Sequence, residues 1–390
     1  MQKPIYLDNF ATTPTDRRVV EAMLPYFTEQ FGNPSSVAHA YGWEAEAAVK
    51  KSRQTIAAAI NAAPEEIIFT SGATEADNLA IKGVAEAYFS KGKHLISCVS
   101  EHSAVLDPCK YLQSLGFEIT FLPVQQDGLI DLELLLRSIR PETILISVMA
   151  ANNEIGVLQN LNEIGAIARQ HQVLFHTDAA QAIGKIPLDV ASMKIDLMSL
   201  TAHKIYGPKG IGALYVRKRD PRVRLAPQLH GGGQEQQLRS GTLYTPQIVG
   251  FAKAIELALG EMESESKRAI GLRQMLQNKL SQLENIYFNG HPELRLPGSL
   301  SVSVAGVDGA ALLLGVRSTV AVSSGSACAS SSIKPSHVLT ALGHSPELAR
   351  ASIRFGIGRF NTAAEIERVA KTTIAVIESL RSAKATAVNF

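Results

Sequence analysis

The residues of this sequence whose types and spacing can do chemistry together are an acid, a lysine and a glycine turn. Asp178 closes the apolar run Phe175-His176-Thr177, where a buried carboxylate needs a cationic partner to offset its lost hydration. Lys204 stands 26 residues later, after the next apolar run, and leads into the glycine-rich turn Gly207-Pro208-Lys209-Gly210-Ile211-Gly212. Upstream, Ser71-Gly72-Ala73-Thr74-Glu75 joins a short apolar run to an Ala-rich helical stretch. A glycine turn at a helix start offers unbonded N–H groups, the positive end of the helix dipole and a threonine hydroxyl, which together make an anion cup. Each feature alone has a bland reading: the cup as an ordinary N-cap, Lys204 beside His203 as a surface charge. In this order they are the handles of a pyridoxal phosphate (PLP) enzyme, which needs a lysine for the Schiff base, an acid against the pyridine nitrogen and a phosphate site.

The elements that must position these residues read as alternating strands and helices from Asn61 to about Val216. Strands are predicted at Ile67 to Thr70, Leu95 to Val99, Ile119 to Leu122, Ile144 to Val148, Val173 to Thr177, Leu197 to Leu200 and Ala213 to Val216. Short apolar runs separated by helical crossovers predict a mostly parallel sheet covered on both faces, an α/β class. Ligands of such sheets sit beyond the carboxyl ends of the strands. Five of these runs end in polar residues: Ser71 to Glu75, Ser100-Glu101-His102, Asn152-Asn153-Glu154, Asp178 and Thr201-Ala202-His203-Lys204. After Gly250 a long charged helix is predicted, then a smaller α+β lobe with strands at Ser299 to Val304 and Val320 to Ser323. A closing helix from Thr362 carries a Thr362-x-x-Glu365 capping box and an apolar face of Ile366, Val369, Thr373/Ile374, Ile377 and Leu380.

Composition narrows the class of function. Among 390 residues, 38 Lys and Arg against 36 Asp and Glu leave 38 − 36 = +2, which argues against nucleic acid as the main partner. Apolar runs such as Ile144 to Val148 fall far short of the roughly 20 residues of a membrane span. Three cysteines, Cys98, Cys109 and Cys328, are too few and too scattered for a disulfide framework or a CxxC metal site, and Met1 to Asp8 lacks the form of a secretion signal. The expectation is a cytoplasmic protein without a metal. Cys98 in a strand and Cys109 after Pro108 read as packing residues. Cys328 lies in Ser323-Ser324-Gly325-Ser326-Ala327-Cys328-Ala329-Ser330-Ser331-Ser332, which lacks bulky apolar side chains and predicts an exposed, mobile loop suited to a nucleophilic thiolate. The basic run Arg217 to Arg224 reads as a solvated hairpin or as a docking site for an acidic partner.

Several motifs in chain order carry a family resemblance. They are Tyr6-Leu7-Asp8-Asn9-x-Ala11-Thr12-Thr13-Pro14, Phe31-Gly32-Asn33-Pro34-Ser35-Ser36, Gly72-Ala73-Thr74-Glu75-x-x-Asn78, Glu101-His102, Asn152-Asn153-Glu154-Ile155-Gly156, His203-Lys204-Ile205-Tyr206-Gly207-Pro208-Lys209-Gly210, Ser240-Gly241-Thr242, Ser323 to Cys328, and Arg354-x-x-x-Gly358-Arg359-Phe360. The chain resembles the cysteine desulfurases of the iron-sulfur cluster assembly and nitrogen-fixation type, and the match covers nearly all of it. The resemblance implies the fold of the PLP-dependent transferases, fold type I. The large PLP-binding domain is expected over 16–258, and the small domain, carrying the cysteine loop, over 1–15 and 259–390.

The resemblance further implies that Lys204 binds PLP covalently, Asp178 pairs with the pyridine nitrogen, His102 stacks on the ring or carries protons, and Asn153 and Gln181 lie near the ring oxygen. The phosphate falls to Ala73, Thr74, Thr201, His203 and a Thr242 reaching across from a second subunit of a homodimer. Thr201 stands where the family commonly has serine and keeps the hydroxyl. Arg354 with Asn153 receives the carboxylate of L-cysteine, and Cys328 takes the sulfur as a persulfide, leaving L-alanine. The sulfur then passes to an acceptor or iron-sulfur scaffold protein. Rival readings are a selenocysteine lyase, another class V aminotransferase, and a non-catalytic scaffold of sulfur transfer.

Overall fold

The computed structural model describes residues 3–324 and 335–388. Its strands are β1 (Ile5–Tyr6), β2 (Ile67–Thr70), β3 (His94–Cys98), β4 (Glu118–Leu122), β5 (Thr143–Ser147), β6 (Leu174–Asp178), β7 (Leu197–Thr201), β8 (Gly212–Val216), β9 (Ile286–Phe288), β10 (Ser299–Val304), β11 (Val320–Ala321) and β12 (Ser352–Gly356). The seven runs expected in the first half form one sheet in the order β2-β8-β7-β6-β5-β3-β4. The sheet is parallel except for β8, which runs antiparallel to both β2 and β7. The physical reason is the link 202–211, a turn with no crossover helix, and a parallel partner needs a crossover.

Consecutive residues of these strands enter opposite cores. Phe69, Ile96, Ile146, Phe175 and Met198 pack on one face of the sheet, while Ile68, Leu95, Leu145, Leu174 and Leu197 pack on the other. That division is the two-residue period of a strand covered by helices on both sides. Among the covering helices are Ala73–Ala87, Ser103–Ser114 and Leu161–Gln170.

A separate core gathers Leu7, Leu300, Val302, Phe355, Ile366 and Val369 around the antiparallel sheet β12-β10-β9. The parallel pair β1-β11 brings the N-terminal segment against Val320–Ala321 beside it. Helix Thr245–Leu280 gives Ile248, Phe251 and Ile255 to the first core and Leu272, Leu276 and Leu280 to this one. The closing helix Ala363–Val388 has the expected capping box, with Glu365 N donating to Thr362 Oγ1 at 3.3 Å and Thr362 N to Glu365 Oε2 at 3.0 Å. Ile366, Val369, Ala370, Thr373 and Ile377 are buried, while Ile374 and Leu380 are partly buried. The strand expected over Val320 to Ser323 ends at Ala321, and Ser323 makes an isolated bridge to Arg354. Part of the basic run is internal structure, because Arg217 pairs with Asp196 at 3.1 Å and donates to the Val190 carbonyl at 2.7 Å. Arg219, Arg222 and Arg224 remain exposed.

Candidate active site

The polar strand ends converge on a cavity of about 540 Å³, within the range of small-molecule sites. Its walls include Ala73, Thr74, His102, Asn153, Asp178, Gln181, Thr201, His203, Lys204 and Arg354, ten residues that the sequence singled out. Two others stand apart. Thr242 is exposed and absent from this wall, and Cys328 lies outside the described residues.

Lys204 enters just after β7, and its Nζ donates to the Phe10 carbonyl and, at 2.8 Å, to the Ala11 carbonyl. Asp178 ends the neighbouring strand β6 and accepts the Ala180 N–H on Oδ1 at 2.8 Å. It makes no ion pair among the described residues. Burial raises the Asp178 pKa, opposed by the Ala180 N–H and by the charges of His102 and Lys204. A carboxylate so placed is a ready acceptor for a cationic N–H.

A helix starts where the glycine turn predicted one. Helix Ala73–Ala87 starts at Gly72 without a side-chain cap, so its first turn presents backbone N–H groups. Glu75 braces the turn, accepting the Ser71 N–H at 2.8 Å and Arg239 Nε at 2.7 Å. Strand β8 passes so close that a Cβ on Gly212 would lie 2.7 Å from Gly72 Cα and 2.4 Å from the Leu200 carbonyl oxygen. Thr201 and His203 close the cup. His203 Nδ1 sits 3.1 Å from Thr12 Oγ1, and burial, then the Lys204, Lys209 and Lys185 charges, hold its pKa down at about 4. The ring is therefore neutral at pH 7.

His102 is the N-cap of helix Ser103–Ser114, its Nδ1 accepting the Ala104 N–H at 3.1 Å. This bond commits Nδ1 as acceptor, so a proton on the neutral ring resides on Nε2. Gln181 Nε2 donates to the Phe10 carbonyl at 2.9 Å, and its Oε1 accepts Lys185 Nζ at 3.2 Å. Arg354 arrives from β12 of the smaller core, and its Nη1 donates to the Asn153 carbonyl at 2.7 Å.

Several contributors escaped the sequence reading. Asp8 binds Arg354 at 2.8 Å, and the carbonyls of Phe10 and Ala11 hold Lys204. Backbone carbonyls have no side-chain signature, although all three residues lie inside the quoted Tyr6 to Pro14 motif. Glu154 accepts Ser336 Oγ at 2.5 Å, and burial pushes its pKa up to about 7 against the Ser336 bond and the Arg354 charge. The expectation for the other cysteines holds: Cys98 and Cys109 are buried, and desolvation pushes both thiols up to about 12. Neither is a thiolate at neutral pH.

The donor and acceptor set fits PLP: an amine held over the cavity, a buried acid facing it, an uncapped helix start for a phosphate and hydroxyls beside it.

The class-V aminotransferase family model matches residues 5–369. The chain is 55% identical over 381 residues to the cysteine desulfurase IscS of Neisseria meningitidis serogroup C, covering 98% of this chain and 94% of that one. Among solved structures, a NifS-like protein superposes with a TM-score of 0.90 at 37% identity, covering 97% of this chain and all of the other. SspA in complex with cysteine superposes with a TM-score of 0.82 at 39% identity, over 92% of this chain and all of the other.

Proposed function

The chain belongs to the class-V aminotransferase family, and within it to the cysteine desulfurases, and from this we propose that it removes sulfur from L-cysteine, releases L-alanine and carries the sulfur as a persulfide on Cys328. The enzymes of this family depend on PLP, which when bound supplies an electron sink for the bonding pair left at the substrate Cα. The single observation that carries the reading is that Lys204, Asp178, the helix start at Ala73 and Arg354 all face one cavity.

Each residue has a task that its surroundings support. Ala73 and Thr74 N–H groups, with Thr201 and neutral His203, would hold the phosphate. Asp178 would accept the pyridine N–H and hold its proton there. His102 and Gln181 would orient the ring. Arg354 clamps the substrate carboxylate with Asn153 beside it, a task for guanidinium because it presents parallel donors. Lys204 Nζ takes the proton from the substrate Cα, as an amine within a desolvated site can. The Cys328 thiolate attacks the substrate sulfur, so a sulfur–sulfur bond forms as the substrate Cβ–S bond breaks. The pair from that bond passes to the carbon skeleton, which takes up a proton at Cβ and regains the one Lys204 removed from Cα to become alanine.

The active unit is a homodimer, with Thr242 completing the phosphate site of the second copy. Its exposure and its absence from the cavity of its own chain support this. Tyr244, two residues from Thr242, is exposed and meets exposed Phe27 with ring centres 6.2 Å apart. Such patches mark association surfaces. The division into 16–258 and 1–15 with 259–390 is supported by the separate cores, bridged by helix Thr245–Leu280. Sulfur leaves to an acceptor such as an iron-sulfur scaffold protein, in the cytoplasm.

The test is Cys328→Ala in the PLP-loaded protein. It should bind L-cysteine with the wild-type change in visible absorbance, yet form no persulfide by mass spectrometry and release alanine at a small fraction of the wild-type rate. Alanine released at the wild-type rate would remove Cys328 from the reaction.

A further inference from the structure

Arg354 is held by another carboxylate before any substrate arrives. Its side chain is 4% exposed, its Nη2 donates to Asp8 Oδ1 at 2.8 Å, and its Nη1 donates to the Asn153 carbonyl at 2.7 Å. Among the described residues, the buried Nε has no hydrogen-bond partner. A buried guanidinium N–H without a partner costs free energy, so the bonds on the two Nη atoms are what hold this cation in place. Asp8 reaches this cation from the segment after β1, and the same Oδ1 accepts Ser323 Oγ at 3.0 Å. The Ser323 carbonyl in turn accepts the Arg354 N–H at 2.8 Å. One carboxylate oxygen thus ties together the ends of β1 and β11 and the middle of β12.

We propose that Asp8 is a positioning residue for substrate recognition, which orients the Arg354 guanidinium and, as a resident carboxylate on the same cation, sets how tightly a substrate carboxylate is held. The inference rests on the reading of Arg354 as the carboxylate clamp. With no substrate bound, Asp8 neutralises a buried cation that would otherwise be costly. With substrate bound, two carboxylates share one guanidinium and repel, so the grip is weaker than Arg354 alone would give. Cysteine and alanine carry the same carboxylate, so grip on that group is uniform binding: it holds product as firmly as substrate and adds nothing to turnover. Asp8 trades that excess for release.

Two substitutions in the PLP-loaded enzyme separate orientation from charge. Asp8→Asn keeps an oxygen for Arg354 and Ser323 and removes the charge; Asp8→Ala removes both. The probes are L-alanine and ethylamine, which is alanine without its carboxylate, followed by titration calorimetry. Asp8→Asn should bind L-alanine at least about ten-fold more tightly, because a like charge on the same guanidinium is removed. Ethylamine should be unaffected, and both KM for cysteine and kcat should fall. Asp8→Ala should bind L-alanine more weakly than wild type, because the guanidinium loses its orientation. Unchanged L-alanine affinity in Asp8→Asn, or an equal gain for ethylamine, overturns the proposal. Arg354→Lys distinguishes the underlying reading: if that variant binds L-alanine as wild type does, the clamp assignment itself fails.

Discussion

Lys204 and Arg354 show how two cations of one cavity are kept for different work. Lys204 Nζ rests on two backbone carbonyls, contacts it can leave without stripping a carboxylate of its partner. Arg354 is buried and tied to a carboxylate, a fixed donor array. Lys204→Ala should therefore retain the fold and lower kcat by on the order of 10³-fold, the usual scale for a positioned acid-base group. Steady-state alanine release beside an unchanged thermal midpoint would check this, and a loss below ten-fold would sink the role. Arg354→Lys keeps the charge but loses the planar donors, so KM for cysteine should rise on the order of ten-fold or more. A KM within two-fold of wild type would remove the clamp. Cys98 and Cys109, with thiols pushed up to about 12, should resist alkylation in the native protein at neutral pH.

At the scale of elements, β8 closely approaches the start of helix Ala73–Ala87, which is proposed to hold the phosphate. Gly212→Ala places a Cβ 2.4 Å from the Leu200 carbonyl oxygen and 2.7 Å from Gly72 Cα, both backbone atoms. The strands must part, which should cost about 1–3 kcal/mol and weaken PLP retention, read by denaturant unfolding and by dialysis. A variant as stable as wild type, with cofactor equally retained, would show that the cup tolerates the separation. The link between Glu154 and Ser336 makes a different prediction. In the unfolded chain this carboxyl titrates near 4.5 and in the folded protein near 7. Below the lower value it is protonated in both states and contributes nothing. Between the two values the unfolded chain releases a proton that the folded protein retains, so stability falls as pH rises, by about 3 kcal/mol in all. Above pH 7 the loss is constant. Glu154→Gln should therefore gain stability over wild type at pH 8 but little at pH 5, measured by urea unfolding. An equal difference at both pH values would reject the shifted carboxyl. The main strands were legible because each consists of a few apolar residues alternating between two cores. The strands β1, β9 and β12 were not, since two or three residues carry no period and β12 interrupts its apolar run with buried Arg354.

For the whole molecule, the exposed Thr242 and the cavity that lacks it predict complementation between chains. Mixed dimers of Lys204→Ala and Thr242→Ala chains hold one site with both native residues and one site with neither. Co-refolding should restore activity per wild-type site at limiting PLP, whereas a Thr242 acting within its own chain restores none. Within the chain, strand identity, the mostly parallel sheet and the placing of Asp178 and Lys204 at the ends of neighbouring strands were determined by the sequence itself. These follow from interactions among near neighbours, namely period, turn chemistry and the cost of burying a carboxylate at a strand end. The tertiary structure alone decided that Asp8 meets Arg354 across 346 residues and that the Phe10 carbonyl takes Lys204 across 194. It also decided that Glu154 holds its proton to about pH 7. Desolvation and long-range charge depend on what the folded chain places around a group, and no local pattern of residue types encodes that surrounding.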